Sequence, residues 1–238
     1  MGNDTSLNNQ TKPFGKQMLA DAVCRPLLFA SLMVNATFAG IKEMTRRTKG
    51  LEEINVNPDD WQFEWADFAL KYPFRFTQKS SVNDKSLADN SFYQAEAKCP
   101  YGKVGDILWV RETFVENKGQ LPTDLGFVYK AELGVNELEY SKELKVKWKP
   151  SLFMPKSACR LFLEITNVRV ERLKSIKEID CLKEGAVPLG ASIIGCKDGA
   201  FGFFKDLWIS INGQNNWELN PWVWVISFKV VECPYGFR

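Results

Sequence analysis

The chain contains no histidine among its 238 residues. Without an imidazole, a Ser-His-Asp triad, a Cys-His nucleophile pair and a histidine-ligated zinc or haem are all excluded. Any proton transfer must therefore be carried out by carboxylates, lysine, tyrosine or cysteine.

Cysteine pairs of the CxxC type are also missing, although the chain has six cysteines. Their absence excludes a thioredoxin-like motif and a zinc knuckle. The first 20 residues are polar and lack the apolar stretch of a secretory signal. We therefore expect reduced, mostly buried thiols and a cytoplasmic protein.

Long apolar runs and nucleotide-loop motifs are absent as well. The most apolar stretch, 26–39, is too short to cross a bilayer and contains Ser31 and Asn35. Neither a Gly-x4-Gly-Lys-Ser/Thr loop nor a Gly-x-Gly-x-x-Gly fingerprint occurs, and no carboxylate cluster of the calcium or two-metal type stands out. We expect no membrane contact, no metal and no cofactor.

Charge is nearly balanced, with 31 Lys and Arg against 29 Asp and Glu. This balance does not fit a histone-like or membrane-coating protein. The length and the 45% hydrophobic content fit one large domain with a sizeable core. We expect a flexible N-terminal arm at 1–22 and a single domain at 23–238, with an irregular insertion at about 50–98.

The ordered part of the chain is predicted to begin with a short buried strand at 26–29. A helix follows, with Ser31 as its N-cap and Gly40 just beyond its end. Residues 41–47 then predict a basic, polar turn at the exit of this helix.

Strands and helices are mixed along the rest of the chain. Along 160–173 the apolar residues change from one face of the predicted strand to the other at Asn167, which predicts a bulge or bend there. Ser175 and Glu178 form a capping-box pattern for a helix that ends at Gly185. Strands are predicted at 107–114, 127–130, 160–173 and 222–231, the last of them central, and a second helix at 203–211. The mixture favours an α+β fold, a small mixed β-barrel with flanking helices.

Four residues after the first helix are similar to a known signature. Gly40, Lys42, Thr45 and Arg47 resemble the Gly-x-Lys-x-x-Glu-x-Arg motif of the ASCH family, a branch of the PUA-like barrels, with Thr where the motif usually has Glu. This resemblance implies a barrel whose cleft accepts a nucleobase, a nucleoside or a stretch of RNA.

Three further blocks agree with this family in order and content, namely 99–114, 148–173 and the last strand. Together they look like the longer ASCH proteins often encoded by phages and prophages. The resemblance covers most of 24–232 and leaves the arm and the insertion unexplained. The ligand-binding residues that it implies are Gly40, Arg46, Arg47, Trp109, Arg111 and Trp148.

The threonine variant of the motif implies a narrower activity. Small bacterial N4-acetylcytidine amidohydrolases are ASCH proteins that carry this Thr and use it together with a Lys and a later Glu. The resemblance therefore implies Lys42, Thr45 and Glu184 as catalytic residues of an amidohydrolase acting on a modified nucleoside. Glu178 is the nearest alternative for the carboxylate.

Amide hydrolysis needs a nucleophile, a base and donors for the developing oxyanion. Thr45 offers the hydroxyl, Lys42 the base, Glu184 a proton shuttle and Arg47 an oxyanion donor. A lysine acts as a base only if its pKa falls by roughly 3 units. This requires Lys42 to lie nearer to the arginines than to the carboxylate.

Each of these residues also has a structural interpretation. Lys42 and the arginines would complement the dipole at the C-terminus of a helix. Thr45 could simply begin a strand, and Glu184 could be a solvated residue in the last turn of its helix.

A basic segment with interleaved Trp148 and Phe153 suits the neutralisation of phosphates and the stacking of bases. The alternative is an ordinary solvated strand face that the acidic segment 51–68 balances. The basic segment spans 142–177 and contains three Glu. Its ten basic residues are Lys142, Lys145, Lys147, Lys149, Lys156, Arg160, Arg169, Arg172, Lys174 and Lys177.

Trp61 and Trp217 are flanked by polar residues, which makes them candidates for stacking on a base. The acidic, aromatic segment 51–68 could instead contact a protein partner. Three functions stay open: hydrolysis of an acylated nucleoside, non-catalytic binding of RNA or DNA, and a phage-type assembly or interaction role. Cys-Pro-Tyr-Gly occurs twice, at Cys99 and Cys233, and nothing in the sequence explains the repeat.

Overall fold

The computed structural model describes residues 22–65, 74–78, 94–117, 126–133, 147–186 and 199–237. The arm predicted at 1–22 lies outside these ranges except for its last residue. The described residues form ten strands: β1 (Cys24–Leu28), β2 (Met44–Arg47), β3 (Trp61–Trp65), β4 (Phe74–Gln78), β5 (Gln94–Ala97), β6 (Ile107–Arg111), β7 (Phe114–Glu116), β8 (Phe127–Tyr129), β9 (Phe162–Arg172) and β10 (Trp222–Val231).

Helices of four or more residues connect or flank these strands in the described ranges. Short 3-10 turns occur at Ile54–Val56, Pro58–Asp60, Ser151–Phe153, Lys156–Ala158 and Leu173–Ser175. The helices are α1 (Ser31–Phe38), α2 (Lys130–Leu133), α3 (Glu178–Lys183), α4 (Gly199–Asn212) and α5 (Gln214–Leu219).

The main sheet has five strands in the order β1-β6-β9-β10-β2. β1 runs parallel to β6, and the other neighbours are antiparallel. β10 lies inside this sheet, as its apolar sequence predicts, and both of its faces are buried. Trp224 and Ile226 pack into one core cluster, and Val223 and Val225 into another.

The two edges of this sheet come close together. In a flat sheet of five strands the outer two would lie about 19 Å apart. Here Arg47 of β2 donates a hydrogen bond from Nη2 to the Leu28 carbonyl of β1 at 3.0 Å. The sheet is therefore strongly curled, and the edge strands meet at the C-terminal end of β2.

The bend predicted near Asn167 is confirmed. Ser227 pairs with Asn167, but Phe228 pairs with Ile165, so Thr166 is the extra residue of a β-bulge in β9. The bulge explains why apolar residues change sides along the strand, since the inserted residue reverses the alternation.

The prediction of an irregular insertion at 50–98 is wrong for the described part of this segment. β3, β4 and β5 form an antiparallel sheet that packs against the core. Phe76 is fully buried with its ring edge-on to Trp222, the centroids 5.4 Å apart. Trp61 is only 6% exposed, so it is a core residue and not a stacking platform. The loop expected at 83–90 lies outside the described residues, as does 66–68 of the acidic segment.

The helix ends follow the sequence signals in part. Gly40 has φ +70° just after α1, as predicted, but Ala30 and not Ser31 is the N-cap. The capping box at Ser175 is wrong, because α3 begins only at Glu178. The Glu178 carboxylate instead accepts a hydrogen bond from the Ala200 backbone N–H at 2.5 Å, in the first turn of α4.

The α+β class is confirmed, with sheets of five, three and two strands. Among the described residues these sheets do not join into a closed barrel. Within the same ranges, no helix combines the length and the apolarity needed to cross a membrane.

The five described cysteines are free thiols, and Cys99, Cys159 and Cys181 are buried, in line with the sequence. Cys196 lies outside the described residues. Burial raises the pKa of Cys99 to about 11 and the pKa values of Cys159 and Cys181 to about 12.

These thiols predict a loss of stability at alkaline pH. An unfolded cysteine loses its proton above about pH 8.5, whereas the buried thiols keep theirs. The free energy of unfolding should then fall by about 1.4 kcal/mol per pH unit for each buried thiol. Urea unfolding between pH 7.5 and 10.5 should show a shallower fall for Cys181→Ala than for the parent chain. Cys233→Ala, at an exposed thiol, should keep the parent slope, and equal slopes for all three proteins would contradict this account.

Candidate functional site

The segment predicted as a basic turn, 41–47, is mostly a buried edge strand. After Gly40 reverses the chain, the Lys42 backbone N–H donates to the Ala36 carbonyl at 3.0 Å. β2 then pairs with β10, with Thr45 opposite Ile226. Lys42, Thr45 and Arg46 are all 3% exposed or less. The turn prediction failed because buried ion pairs compensate the charges that made this segment look solvated.

The Lys42 ammonium is saturated with hydrogen-bond acceptors. Its Nζ lies 2.8 Å from the Met44 carbonyl, 2.7 Å from the Glu184 carbonyl and 3.0 Å from Glu184 Oε2. Burial lowers the pKa of Lys42, and the Glu184 carboxylate opposes this shift. The expectation that Lys42 lies nearer to the arginines than to the carboxylate is wrong, because its closest charged contact is Glu184. In this arrangement Lys42 is a donor and not a base.

Arg46 joins the same carboxylate from the other side. Its Nη1 lies 3.1 Å from Glu184 Oε1, and its Nη2 contacts Glu171 and lies 3.3 Å from Asp180. Opposite charges raise the pKa of Arg46, so it stays protonated. Its Nε is buried and has no hydrogen-bond partner among the described residues.

Gly185 allows α3 to end close against this ion cluster. It has φ +73°, and a Cβ there would lie 2.9 Å from the Ala36 Cβ and 3.1 Å from the Lys42 Cβ. A glycine is needed for both reasons, the backbone conformation and the close packing. The approach places the carboxyl group of Glu184, the C-cap residue of α3, beside Lys42.

A cavity of about 140 Å³ lies next to these groups. Lys42, Thr45, Arg46 and Glu184 line it, together with Arg47 and Lys49 toward the rim. Four aromatic rings also line it, those of Phe29, Tyr101, Phe204 and Trp208. Among the described residues, the Thr45 hydroxyl has no hydrogen-bond partner and remains available to a ligand.

The structure thus brings together the three proposed catalytic residues with Arg46 and Arg47. Glu178, the alternative carboxylate, is engaged with the N-terminus of α4 and does not line the cavity. Gly40 serves as the turn before Lys42, and does not line the cavity either.

The other three proposed ligand-binding residues lie elsewhere. Trp109 is 6% exposed and packs edge-on against Phe237, with centroids 5.8 Å apart. Arg111 covers the Trp109 ring at 5.2 Å and donates to the Leu152 carbonyl. Trp148 lines a separate surface hollow with Phe153. These three residues are not parts of the cavity around Lys42.

Four of the eight basic residues that the structure describes in this segment are paired with carboxylates, Lys149 among them. Arg160 binds Glu112, with Nε to Oε1 at 2.8 Å, and Arg169 binds Asp180, with Nη2 to Oδ2 at 2.9 Å. Arg172 binds Asp59 of the acidic segment at 2.7 Å, as the balanced-charge alternative expects. Lys142 and Lys145 lie outside the described residues. Intramolecular pairing therefore accounts for much of the local positive charge.

Trp217 is a core residue and not the stacking platform predicted for it. It is 6% exposed and contacts Phe201, with ring centroids 5.8 Å apart. The polar neighbours of Trp217 did not predict its exposure correctly, because α5 folds back against α4 and the Trp217 ring is covered by that helix.

All four aromatic residues of the cavity were missed as site residues by sequence reasoning: Phe29, Tyr101, Phe204 and Trp208. Tyr101 belongs to the first Cys-Pro-Tyr-Gly, where the Gly102 N–H donates to the Cys99 carbonyl at 3.2 Å and closes a turn. The second copy closes its turn one residue later, from the Phe237 N–H to the Pro234 carbonyl, and leaves Tyr235 fully exposed. The repeat is a shared turn sequence, and only its first copy reaches the cavity.

The ion cluster predicts a large penalty for removing its central carboxylate. Glu184→Gln should lower the free energy of unfolding by about 3 kcal/mol or more, because Lys42 and Arg46 would share a buried site without their common anion. Glu43→Gln is the matched control, since its exposed pair with Lys183 should contribute less than about 1 kcal/mol. Urea unfolding at pH 7 measures both changes. Equal, small losses would show that the buried cluster does not stabilise the fold.

Comparison of this chain with known protein families, with characterised proteins and with solved structures finds no match. The likeness of its sequence to the ASCH family therefore stays a prediction. Function has to be inferred from the cavity and the groups that line it.

Proposed function

We propose that the protein binds a nucleobase-bearing ligand, an RNA nucleotide or a modified nucleoside, in the cavity beside Lys42. The observation that carries this proposal is one small cavity in which buried hydrogen-bonding groups and four aromatic rings meet. Flat aromatic walls suit a flat ring, because each base offers a π-face for stacking.

The cavity size favours a single ring. Its volume is about 140 Å³. A protein cavity of about 150 Å³ holds a benzene molecule. A pyrimidine fits this scale better than a purine, so we propose a pyrimidine base.

The polar groups complement the edge of such a base. Arg46 Nε is a buried donor without a partner among the described residues, and Thr45 adds a side chain with a hydroxyl to the lining of the cavity. Glu184 accepts hydrogen bonds and would receive an exocyclic amino group. Buried donors that lack partners are costly, so a carbonyl or ring nitrogen of the ligand would offset that cost.

The finer fold assignment belongs with this proposal. We propose an ASCH-like, PUA-type small barrel, supported by the curl of the main sheet and the Arg47–Leu28 hydrogen bond between its edge strands. In such a fold the ligand would lie at the seam where β2 and β1 meet.

Amide hydrolysis is a second candidate activity, because the Thr45 hydroxyl lines the same cavity as Lys42 and Glu184. Its oxygen would attack the acyl carbonyl and pass its proton to the Glu184 carboxylate. The Arg47 guanidinium, which lines the cavity and has N–H groups beyond the one that binds Leu28, would donate a hydrogen bond to the oxyanion. Collapse would break the C–N bond, with the proton returning from Glu184 to the leaving amine, and water would then release the acyl group from Thr45.

This scheme changes the roles that the sequence suggests. Glu184 becomes the base, and Lys42 holds the Glu184 carboxylate in position, because its three N–H groups already donate to three acceptors. Non-catalytic recognition needs only the cavity and is compatible with the same contacts. A protein-interaction role through 51–68 has less support, since Trp61 is buried in the core.

Binding is tested by isothermal titration calorimetry with cytidine. Leu207 lines the cavity from α4, and Leu207→Phe should weaken cytidine binding by about tenfold or more, because the larger side chain occupies the space of the ring. Ser210→Leu, at an exposed position of the same helix, should bind like the parent. If cytidine and uridine both fail to bind the parent protein, the proposed function is wrong.

Hydrolysis is tested separately with N4-acetylcytidine, followed by chromatography between pH 6 and 10. Thr45→Val is nearly isosteric and should abolish deacetylation while leaving cytidine affinity within about threefold. Thr113→Val, outside the cavity, should retain full activity. Binding without any turnover by the parent would leave recognition as the function and exclude the hydrolase.

A further inference from the structure

We propose that the ligand carries a phosphate ester that Arg47 and Lys49 bind at the rim of the cavity, so that it is a pyrimidine nucleotide and not a free nucleoside. This inference rests on the proposed function and specifies its substrate class. It adds Lys49, which the sequence motif does not include, as a recognition residue.

The distribution of charge around the cavity is uneven. Among the residues that the structure describes, four cationic side chains and one carboxylate, that of Glu184, line it. Lys42 and Arg46 occupy both oxygens of Glu184, and Arg46 also contacts Glu171. The inner cations are therefore neutralised by the protein itself.

The outer two cations are not neutralised in this way. Among the residues that the structure describes, neither Arg47 nor Lys49 has a carboxylate within ion-pair distance. Both line the cavity, with Lys49 exposed and Arg47 half-buried. Glu52 attracts Lys49 only from beyond ion-pair distance, so an anionic group of the ligand would supply the directly contacting counter-charge at this rim.

The guanidinium of Arg47 is held in place with donors to spare. Its Nη2 donates to the Leu28 carbonyl at 3.0 Å, and its Cζ lies 5.9 Å from the centre of the Phe29 ring. Burial lowers its pKa. The planar fork of an arginine matches the oxygens of a phosphate, and a partly desolvated one binds them most strongly.

The backbone beside Lys49 already stabilises an anion. The Gly50 N–H donates to both oxygens of Glu52, at 3.0 and 2.9 Å. These backbone hydrogen bonds lower the pKa of Glu52. The Lys49 carbonyl accepts a hydrogen bond from Trp224 Nε1 at 3.1 Å, which anchors this segment to the core.

Arg46 supplies an independent sign that a ligand is expected. Its side chain is fully buried, and its Nε has no partner in the described part of the chain. Arg46 is also one of the residues that line the cavity. A carbonyl oxygen of the base would satisfy this donor. The base would then lie inside, near Arg46, and the phosphate outside, near Arg47 and Lys49.

The test compares cytidine 5′-monophosphate with cytidine by isothermal titration calorimetry at 50 and 300 mM NaCl. The nucleotide should bind about tenfold tighter or more at low salt, since hydrogen bonds to charged groups are strong enough for that factor. The difference should shrink at high salt, because screening weakens contacts between exposed charges. Hexacytidylate identifies the source of the phosphate. If it binds tighter than the mononucleotide, the phosphate belongs to an RNA chain. If it binds more weakly or equally, the phosphate belongs to a free nucleotide.

Two variants assign the contact. Lys49→Gln changes an exposed side chain and should reduce the nucleotide-to-nucleoside affinity ratio about threefold or more. Arg47→Lys keeps the positive charge but removes the planar N–H donors of the guanidinium. It should therefore reduce the nucleotide-to-nucleoside affinity ratio as well. Lys229→Gln, at an exposed lysine outside the cavity, should leave the ratio unchanged.

The outcomes separate this inference from the proposed function. Equal affinities of the parent protein for cytidine and its monophosphate overturn the phosphate site while the base-binding function stands. A ratio that Lys49→Gln leaves unchanged overturns the assignment to this rim. If neither compound binds, both the inference and the function on which it rests are wrong.

Discussion

One carboxylate bridges two buried cations, and the geometry of the cavity depends on this interaction. Glu184 lies between Lys42 and Arg46, at 3.0 Å from one nitrogen and 3.1 Å from the other. Charges withdrawn from water are costly, and only close, fully hydrogen-bonded pairing offsets the cost. The contact fixes the end of α3 against β2. It therefore also fixes the position of the cavity wall that a ligand would contact.

Five residues expected at one site do line one cavity, namely Lys42, Thr45, Arg46, Arg47 and Glu184, whereas Trp109, Arg111 and Trp148 lie elsewhere. How the five interact was not predicted. The motif after α1 and the glutamate before Gly185 were matched by their likeness to a family, and the fold brings them to one cavity. Neither spacing nor periodicity contains this information, because residues so far apart in sequence meet only through tertiary packing. The roles changed for the same reason: whether a lysine is a base or a donor depends on its neighbours, which the sequence does not reveal.

Burial of tryptophans was predicted least well. Polar neighbours suggested that Trp61 and Trp217 are exposed, yet both are in the core. A flanking residue in a strand or helix points to another side, so it reports little about the face that the tryptophan occupies. Where strict alternation was available, as in β10 or across the bulge of β9, prediction succeeded, because the period of a strand directly fixes which side chains share a face.

The wide sequence separation within the ion cluster also has a consequence for synthesis. Lys42 and Glu184 are 142 positions apart, and Arg46 and Glu184 are 138 apart. While a ribosome is making the middle of the chain, β2 has already emerged with its cations, but the anion that they share does not yet exist. Solvent must hydrate these side chains during that interval, so the edge strand cannot be buried as it is in the finished protein. Completion of the cavity is thus a late event in the synthesis of each chain, because Glu184 and the lining residues of α4 are all made long after β2.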